Sequence, residues 1–204
     1  MKVLVACEFS GIVREAFKAK GHDAWSCDLL PTEIPGQHIQ GDVLEILNDG
    51  WDLMIAHPPC THLAVSGAAW FKNKTKEQRE AIEFFARLLF CTIPKICVEN
   101  PVSIISTVIR KPDQVIQPYY FGDPPYKTTC LWLVNLPPLV HLKEGDMFGE
   151  ATHCHPEARI KLQDGSTRGE WMYYTDTKIK PQDRGRVRSY TFPGIAAAMA
   201  EQWG

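Results

Sequence analysis

The sequence has little net charge and no long apolar run, and each absence excludes a class of protein. Its 22 basic and 24 acidic residues give a formal charge of −2, unlike proteins held to nucleic acid mainly by counterion release. No apolar run reaches the roughly 18 residues that a membrane-spanning helix needs. The N-terminal apolar run is too short for a secretory signal. We therefore expect neither a membrane protein nor an exported one.

The seven cysteines show no Cys-x-x-Cys pair. Free thiols in a reducing compartment are the simplest interpretation, so we expect a cytoplasmic protein. The length of 204 residues and the hydrophobic content of 45% suit one globular domain with a small appendage. Disulfides are not needed to stabilise a core of this size.

Short apolar runs alternate with amphipathic stretches in the first half of the chain. This alternation predicts an α/β fold with a mostly parallel sheet and helices on both faces. The predicted strands are Lys2–Ala6, His22–Cys27, His38–Gln40, Leu53–His57, Ile96–Val98, Tyr119–Phe121 and Thr128–Val134. The predicted helices are Gly11–Lys20, Val43–Leu47, Lys76–Leu89 and Pro193–Trp203.

Residues 136–188 form an irregular, polar segment that differs in pattern from the rest of the chain. We predict that this segment is a small irregular insertion, and that residues 1–135 plus 189–204 form the core.

Four motifs directly follow predicted strands, where open α/β sheets bind their ligands. Each has a simpler structural interpretation as a helix cap, a turn or a strand end. Their common position nevertheless favours a functional site at this edge. The motifs are Cys7–Gly11, Asp28, His57–Cys60 and Glu99–Pro101.

Cys60 and Glu99 form a chemical pair. A thiolate is a strong nucleophile, and a nearby carboxyl group can hold or deliver a proton. Attack of sulfur on carbon 6 of a pyrimidine makes carbon 5 electron-rich, and an acid at ring nitrogen 3 stabilises the developing charge. Carbon 5 can then accept a methyl group.

In several segments the sequence resembles the cytosine carbon-5 DNA methyltransferases. The similar segments occur in the family's order and cover most of residues 1–135. They are Asp52–Cys60 (the Pro-Cys nucleophile loop), Glu99–Pro101, Phe9–Gly11, Gly41–Val43 and Phe121–Pro124.

The resemblance implies a Rossmann-like S-adenosylmethionine-dependent methyltransferase fold. It also implies S-adenosyl-L-methionine as the methyl donor, Cys60 as the covalent nucleophile and Glu99 at ring nitrogen 3. The partner is then DNA with a flipped-out base, because carbon 6 is unreachable inside a duplex stack. The small size fits a phage-type member acting in a bacterial host cell, with residues 136–188 as a reduced target-recognition segment beside the catalytic core.

The same resemblance assigns residues to the cofactor and the substrate. Phe9 is expected at the adenine of the cofactor, Asp28 at its ribose and Asp42 at its exocyclic amine. Lys127 supplies one catalytic positive charge where the family has two arginines, and His57 replaces a small residue. The remaining cofactor-binding residues are Ser10, Gly11, Val43, His57 and Pro58, and those for the substrate are Pro59 and Asn100.

Basic and histidine-containing segments occur in the C-terminal half. Arg184, Arg186 and Arg188 are predicted to contact DNA phosphates.

No standard metal-binding spacing is present, so we expect no metal site. The residues considered for one are His141, His153, Cys154 and His155.

Two other functions remain open at this point. The near-neutral charge and the small recognition segment are compatible with a free pyrimidine nucleotide as the substrate. The shortened first motif and the single positive charge at Lys127 are compatible with a methyltransferase-like binding protein without activity.

Overall fold

The structure, a computed structural model, describes residues 1–65, 74–143 and 149–204. Its strands are β1 (Lys2–Ala6), β2 (Asp23–Asp28), β3 (His38–Gln40), β4 (Leu53–Ala56), β5 (Lys95–Asn100), β6 (Gln114–Ile116), β7 (Thr129–Val134), β8 (Arg159–Lys161) and β9 (Thr167–Gly169). Its helices are α1 (Ile12–Ala19), α2 (Thr75–Leu89), α3 (Ile105–Val108), α4 (Glu170–Thr177), α5 (Pro181–Ser189) and α6 (Pro193–Trp203).

A seven-stranded sheet in the order β3-β2-β1-β4-β5-β7-β6 forms the centre of the molecule. The pairs among β1 to β5 are parallel. β7 runs antiparallel to both of its neighbours. The predicted fold class is therefore confirmed as an α/β, Rossmann-like fold with a mostly parallel sheet.

Alternate residues of the central strands pack into two hydrophobic cores, one on each face of the sheet. Val3 and Val5 of β1 pack on the face covered by α1 and α6. Leu4 and Ala6 pack on the opposite face, which α2 covers with Phe85. Burial on both faces explains why β1 and β4 read as unbroken apolar runs.

Two features of the second half differ from the sequence expectations. Tyr119–Phe121, predicted to be a strand, lies in a 3-10 turn over Pro118–Phe121. Pro118 fixes φ at the start of this turn, and Gly122 ends it in the left-handed region at φ 91°. The predicted irregular segment 136–188 contains the β8–β9 hairpin, α4 and α5.

Within the described residues, no helix is both long enough and apolar enough to cross a lipid bilayer.

Candidate active site

The tertiary structure gathers the proposed catalytic residues at one edge of the sheet. β1, β4 and β5 are parallel neighbours, so the loops at their carboxyl ends begin side by side. β7 is antiparallel to β5, with Cys130 opposite Asn100, so the segment before β7 reaches the same edge. This segment carries Lys127. Its charge favours the ionised forms of both Cys60 and Glu99.

The turn after β1 is organised around the buried carboxylate of Glu8. Its Oε1 accepts hydrogen bonds from the N–H of Val13 (2.7 Å) and the hydroxyl of Ser10 (3.2 Å). Its Oε2 accepts one from the N–H of Arg14 (3.2 Å). Burial raises the pKa of Glu8, although the charge of His57 and these hydrogen bonds oppose the rise. Because Glu8 already satisfies N–H groups at the start of α1, this turn differs from an anion-binding loop.

Gly11, the residue before α1, adopts a left-handed conformation with φ 80°. A Cβ atom at this position would lie 2.8 Å from Nη2 of Arg14 and 3.0 Å from Cβ of Ile34. Both the conformation and the lack of space therefore favour glycine. The predicted Ser10-Gly11 turn is needed to start α1, whatever ligand it also contacts.

A small cavity that opens to solvent lies beside this turn; the space it encloses together with its open mouth is about 270 Å³. Its walls come from the turn after β1, the end of β4 and the segment before α6. They comprise Cys7, Glu8, Phe9, Ser10, His57, Ser189, Tyr190 and Thr191. Three residues predicted to bind the cofactor, Phe9, Ser10 and His57, therefore line one cavity.

The C-terminal part of the chain covers Phe9. The ring of Tyr190 lies 5.8 Å from the Phe9 ring centroid, and the guanidinium of Arg186 lies 5.4 Å from it. Glu33 links these two residues, since its Oε1 accepts hydrogen bonds from the Tyr190 hydroxyl (2.8 Å) and from Nε of Arg186 (2.8 Å). An adenine ring can reach Phe9 only by sharing this space with Tyr190 or displacing it.

Asp28 is the last residue of β2 and Asp42 follows β3, and the charges of both act on Cys7 in the cavity wall. Their Oδ1 atoms accept hydrogen bonds from the N–H groups of Leu30 and Leu44, respectively, each at 2.9 Å. Burial is the main cause of the raised pKa of Cys7, and the charges of both aspartates add to it. Cys7 lines the cavity, so these charges make the surroundings of the cavity negative.

Two residues predicted to contact ligands, Val43 and Asn100, are buried. Val43 is 4% exposed and packs in the core beneath α2. Asn100 is 1% exposed, and its Nδ2 donates a hydrogen bond to the carbonyl of Pro58 at 2.9 Å. Pro58 is itself buried, whereas Pro59 is exposed. Both buried side chains support their loops, and their ligand contacts stay a prediction.

Cys60 lies in the loop after β4, partly exposed. Its carbonyl accepts hydrogen bonds from the N–H groups of Leu63 (3.0 Å) and Ala64 (2.9 Å), which turn the loop back on itself. Burial and the carboxylate of Glu99 raise the pKa of the thiol, while Lys127 opposes the rise. The thiol is therefore protonated at neutral pH, and a nucleophilic attack needs a proton acceptor.

Glu99 pairs with His57, whose Nδ1 lies 3.2 Å from Oε2 of Glu99. The two side chains are 14% and 7% exposed. Burial alone raises the pKa of Glu99, but the hydrogen bond from His57 and the charges of Lys127 and His57 lower it overall. Glu99 is consequently ionised at neutral pH and can only accept hydrogen bonds. Nδ1 of His57 therefore carries the shared proton.

Lys127 is anchored by the segment before α6. Its Nζ donates a hydrogen bond to the carbonyl of Tyr190 at 3.2 Å and lies 5.7 Å from the ring centroid of Phe192. The predicted single positive charge is thus held next to Cys60 and Glu99.

The three arginines predicted to contact phosphate lie on α5. Arg186 forms an ion pair with Glu33, and Arg188 forms one with Asp176. Arg184 donates a hydrogen bond from Nε to a backbone carbonyl at 3.0 Å. A DNA phosphate would compete with the two ion pairs, and the phosphate contacts stay a prediction.

His141 and His153 contact each other and an aromatic ring. Nδ1 of His141 lies 2.8 Å from Nε2 of His153, and both rings stack on Tyr120. In the three described ranges, no group of three or more His, Cys, Asp or Glu side chains is arranged to hold a metal ion.

The sequence reasoning missed three residues of this site: Glu8, Glu33 and Tyr190. An acid directly after β1 and before Ser10-Gly11 was a visible signal for Glu8. No local pattern indicates Glu33 or Tyr190, because they meet only through folding, across 157 positions.

Comparisons with known proteins were made for the whole chain. No family model matches the chain, and no curated protein matches it. Among solved structures, it is similar to a proposed DNA modification methyltransferase encoded within an E. coli prophage. The TM-score is 0.48 at 16% sequence identity, and the similarity covers 78% of this chain and 58% of that chain. The chain thus spans little more than half the length of that structure.

Proposed function

We propose that the protein methylates carbon 5 of cytosine in DNA through a transient bond between Cys60 and carbon 6 of the base. The observation that carries the proposal is that Glu99 contacts His57 and Lys127 contacts Tyr190, two residues that line the cavity, while the charges of Glu99 and Lys127 both act on Cys60. The motif resemblance of the loops that hold Cys60 and Glu99 supports the same assignment.

The raised pKa of the Cys60 thiol and the lowered pKa of Glu99 keep the proton on sulfur at rest, so the first proton transfer must accompany formation of the carbon–sulfur bond. As the sulfur bonds to carbon 6, its proton passes to the neighbouring Glu99 carboxylate, and the electron pair of the C5–C6 double bond shifts towards carbon 5. Glu99 then passes this proton to ring nitrogen 3. One proton thus moves from sulfur to the ring without another reactant.

The cavity suits a cationic methyl donor better than a phosphate-bearing ligand. Glu8 is a buried carboxylate in its wall, and the charges of Asp28 and Asp42 reach Cys7 on the same wall. S-adenosylmethionine, when bound, supplies an electrophilic methyl group on a positively charged sulfur. Phe9 and the two aspartates would hold its nucleoside, and Glu8 would face its cationic part.

The remaining steps restore the aromatic ring. Carbon 5 gains the methyl group and then loses its proton to solvent. The C5–C6 double bond reforms as the bond between Cys60 and carbon 6 breaks, and the sulfur leaves as a thiolate. The proton on nitrogen 3 returns to Glu99, which can reprotonate the sulfur. Lys127 stabilises the thiolate at the start and end of this cycle.

The test measures methyl transfer from radiolabelled S-adenosylmethionine to duplex DNA by the wild-type protein and by Cys60→Ala. We expect transfer by the wild type and a loss of at least about a thousandfold in the variant, because the nucleophile is absent. DNA carrying 5-fluorocytosine should trap a covalent adduct with the wild type alone, since fluorine cannot leave as the proton does. Equal transfer by the two proteins contradicts the covalent mechanism.

A free pyrimidine nucleotide is the second candidate substrate, and two observations favour it. The formal charge is −2, and Arg186 and Arg188 are both held in ion pairs. Comparing transfer to dCMP with transfer to duplex DNA distinguishes the two. Transfer to neither substrate, with S-adenosylhomocysteine still bound, would indicate a binding protein without activity.

A further inference from the structure

In the part of the chain that the structure describes, only one of the two ring nitrogens of His57 has a hydrogen-bond partner. Its side chain is 7% exposed, and Nδ1 contacts Glu99. Among the described residues, no partner reaches the buried Nε2. Since His57 also lines the cavity, the unused nitrogen belongs to the cavity wall. A buried polar atom without a partner is unfavourable unless a ligand supplies one.

The protonation of the ring follows from its neighbour. Glu99 is ionised and accepts the hydrogen bond from Nδ1, so a ring that carries this one proton presents Nε2 as a hydrogen-bond acceptor. Glu8 lines the same cavity wall as His57. An acceptor nitrogen beside a carboxylate favours a cationic donor, such as a primary ammonium group.

We propose that Nε2 of His57 accepts a hydrogen bond from the α-ammonium group of the cofactor. His57 then binds the cofactor through Nε2 and orients Glu99 through Nδ1, so that one imidazole connects the cofactor cavity with the catalytic carboxylate. This inference rests on the proposed function, because the ammonium group belongs to S-adenosylmethionine.

Two variants and two ligands separate the roles of the nitrogens. The amide of His57→Asn can replace the Nδ1 contact with Glu99, whereas the longer His57→Gln can place its amide oxygen near the position of Nε2. S-adenosylhomocysteine carries the α-ammonium group, and 5′-methylthioadenosine lacks it. Calorimetry on the full-length protein would measure all the combinations. His155→Asn, a change at an exposed histidine, is the control.

We expect His57→Asn to weaken binding of S-adenosylhomocysteine by about tenfold. Its affinity for 5′-methylthioadenosine should stay within about twofold of the wild-type value. His57→Gln should retain most of the affinity for both ligands. Unchanged binding by His57→Asn, or an equal loss for the two ligands, overturns the inference while the proposed function stands. No binding of S-adenosylhomocysteine by the wild type overturns both.

A measurement on the wild-type protein covers the case in which the variants do not fold. The ¹⁵N resonance of His57 Nε2 should shift when S-adenosylhomocysteine is added and stay in place with 5′-methylthioadenosine. A resonance that responds to both ligands alike, or to neither, contradicts the proposed contact.

Discussion

Cys60 lies between groups of opposite charge, and their balance sets its reactivity. Burial and the charge of Glu99 favour the protonated thiol of Cys60, whereas the ammonium of Lys127 favours the thiolate. The motifs predicted these three residues from the sequence, because each belongs to a short segment with a distinctive order. The sequence could not predict the contact of His57 with Glu99, since it depends on how β4 and β5 pair.

Replacing Lys127 with Gln should slow the reaction of Cys60. The loss of the positive charge raises the thiol pKa further, and the thiolate is the form present above that pKa. At a fixed pH below the pKa, we expect alkylation by iodoacetamide to fall by about three- to tenfold, since one pKa unit is a tenfold change. Mass spectrometry of the Cys60 peptide between about pH 7 and pH 10 measures the rate. Lys127→Arg, which keeps the charge, should stay close to the wild type, and a faster reaction in Lys127→Gln would contradict this electrostatic role.

The turn between β1 and α1 combines structural and ligand-facing roles. Glu8 provides the acceptors for the start of α1, and Gly11 supplies the left-handed conformation. The sequence predicted the position of this turn correctly, because the apolar run of β1 ends directly before it. It did not show that Glu8 lies inside the protein, since an acid after a strand is more often solvated.

Replacing Glu8 with Ala should destabilise the fold. The change leaves the N–H groups of Val13 and Arg14 and the hydroxyl of Ser10 without their acceptor. Burial also raises the pKa of Glu8, so the cost of burying its charge offsets part of the loss. We expect a decrease of about 1–2 kcal/mol in the free energy of unfolding at neutral pH, measured with urea.

Glu80→Ala is the matched control for Glu8→Ala. Glu80 lies on the exposed side of α2, where its 3.9 Å ion pair with Lys76 is solvated. Such a pair contributes little to stability, so Glu80→Ala should change the free energy of unfolding by no more than about 0.5 kcal/mol. Equal effects of the two substitutions would contradict the capping role of Glu8.

Short elements of the second half were harder to predict than the long ones. β6, β8 and β9 each have three residues, too few for periodicity to show. The aromatic run Tyr119–Phe121 resembles a strand, but Pro118 and Gly122 make it a turn. By contrast, α2 and α6 carry enough turns for the sequence to place them.

At the scale of the whole molecule, the C-terminal segment completes both the core and the site. α6 packs on α1 over one face of the sheet, with Met199 and Trp203 in the core. Directly before α6, Tyr190 reaches Phe9 and holds Lys127 through its carbonyl. Folding of the C-terminal segment and formation of the site are therefore linked.

Replacing Trp203 with Ala should strongly destabilise the protein. The side chain is 2% exposed, and its Nε1 donates a hydrogen bond to the carbonyl of Pro137 at 2.9 Å. Truncating a buried tryptophan costs about 3–5 kcal/mol, which thermal and urea unfolding would measure. Ala197→Ser is a change at an exposed position on the same helix. It should alter the free energy of unfolding by no more than about 0.5 kcal/mol. A small effect at Trp203 would show that α6 is not part of the cooperative core.

The sequence by itself determined the sheet class, the main helices and the order of the motifs, because these depend on local periodicity and on residues close together along the chain. Only the tertiary structure decided which residues meet. Strand order brought His57 to Glu99, and the packing of α6 brought Tyr190 to Phe9 and Glu33. Contacts across such sequence distances arise from burial and chain topology, which leave no local pattern.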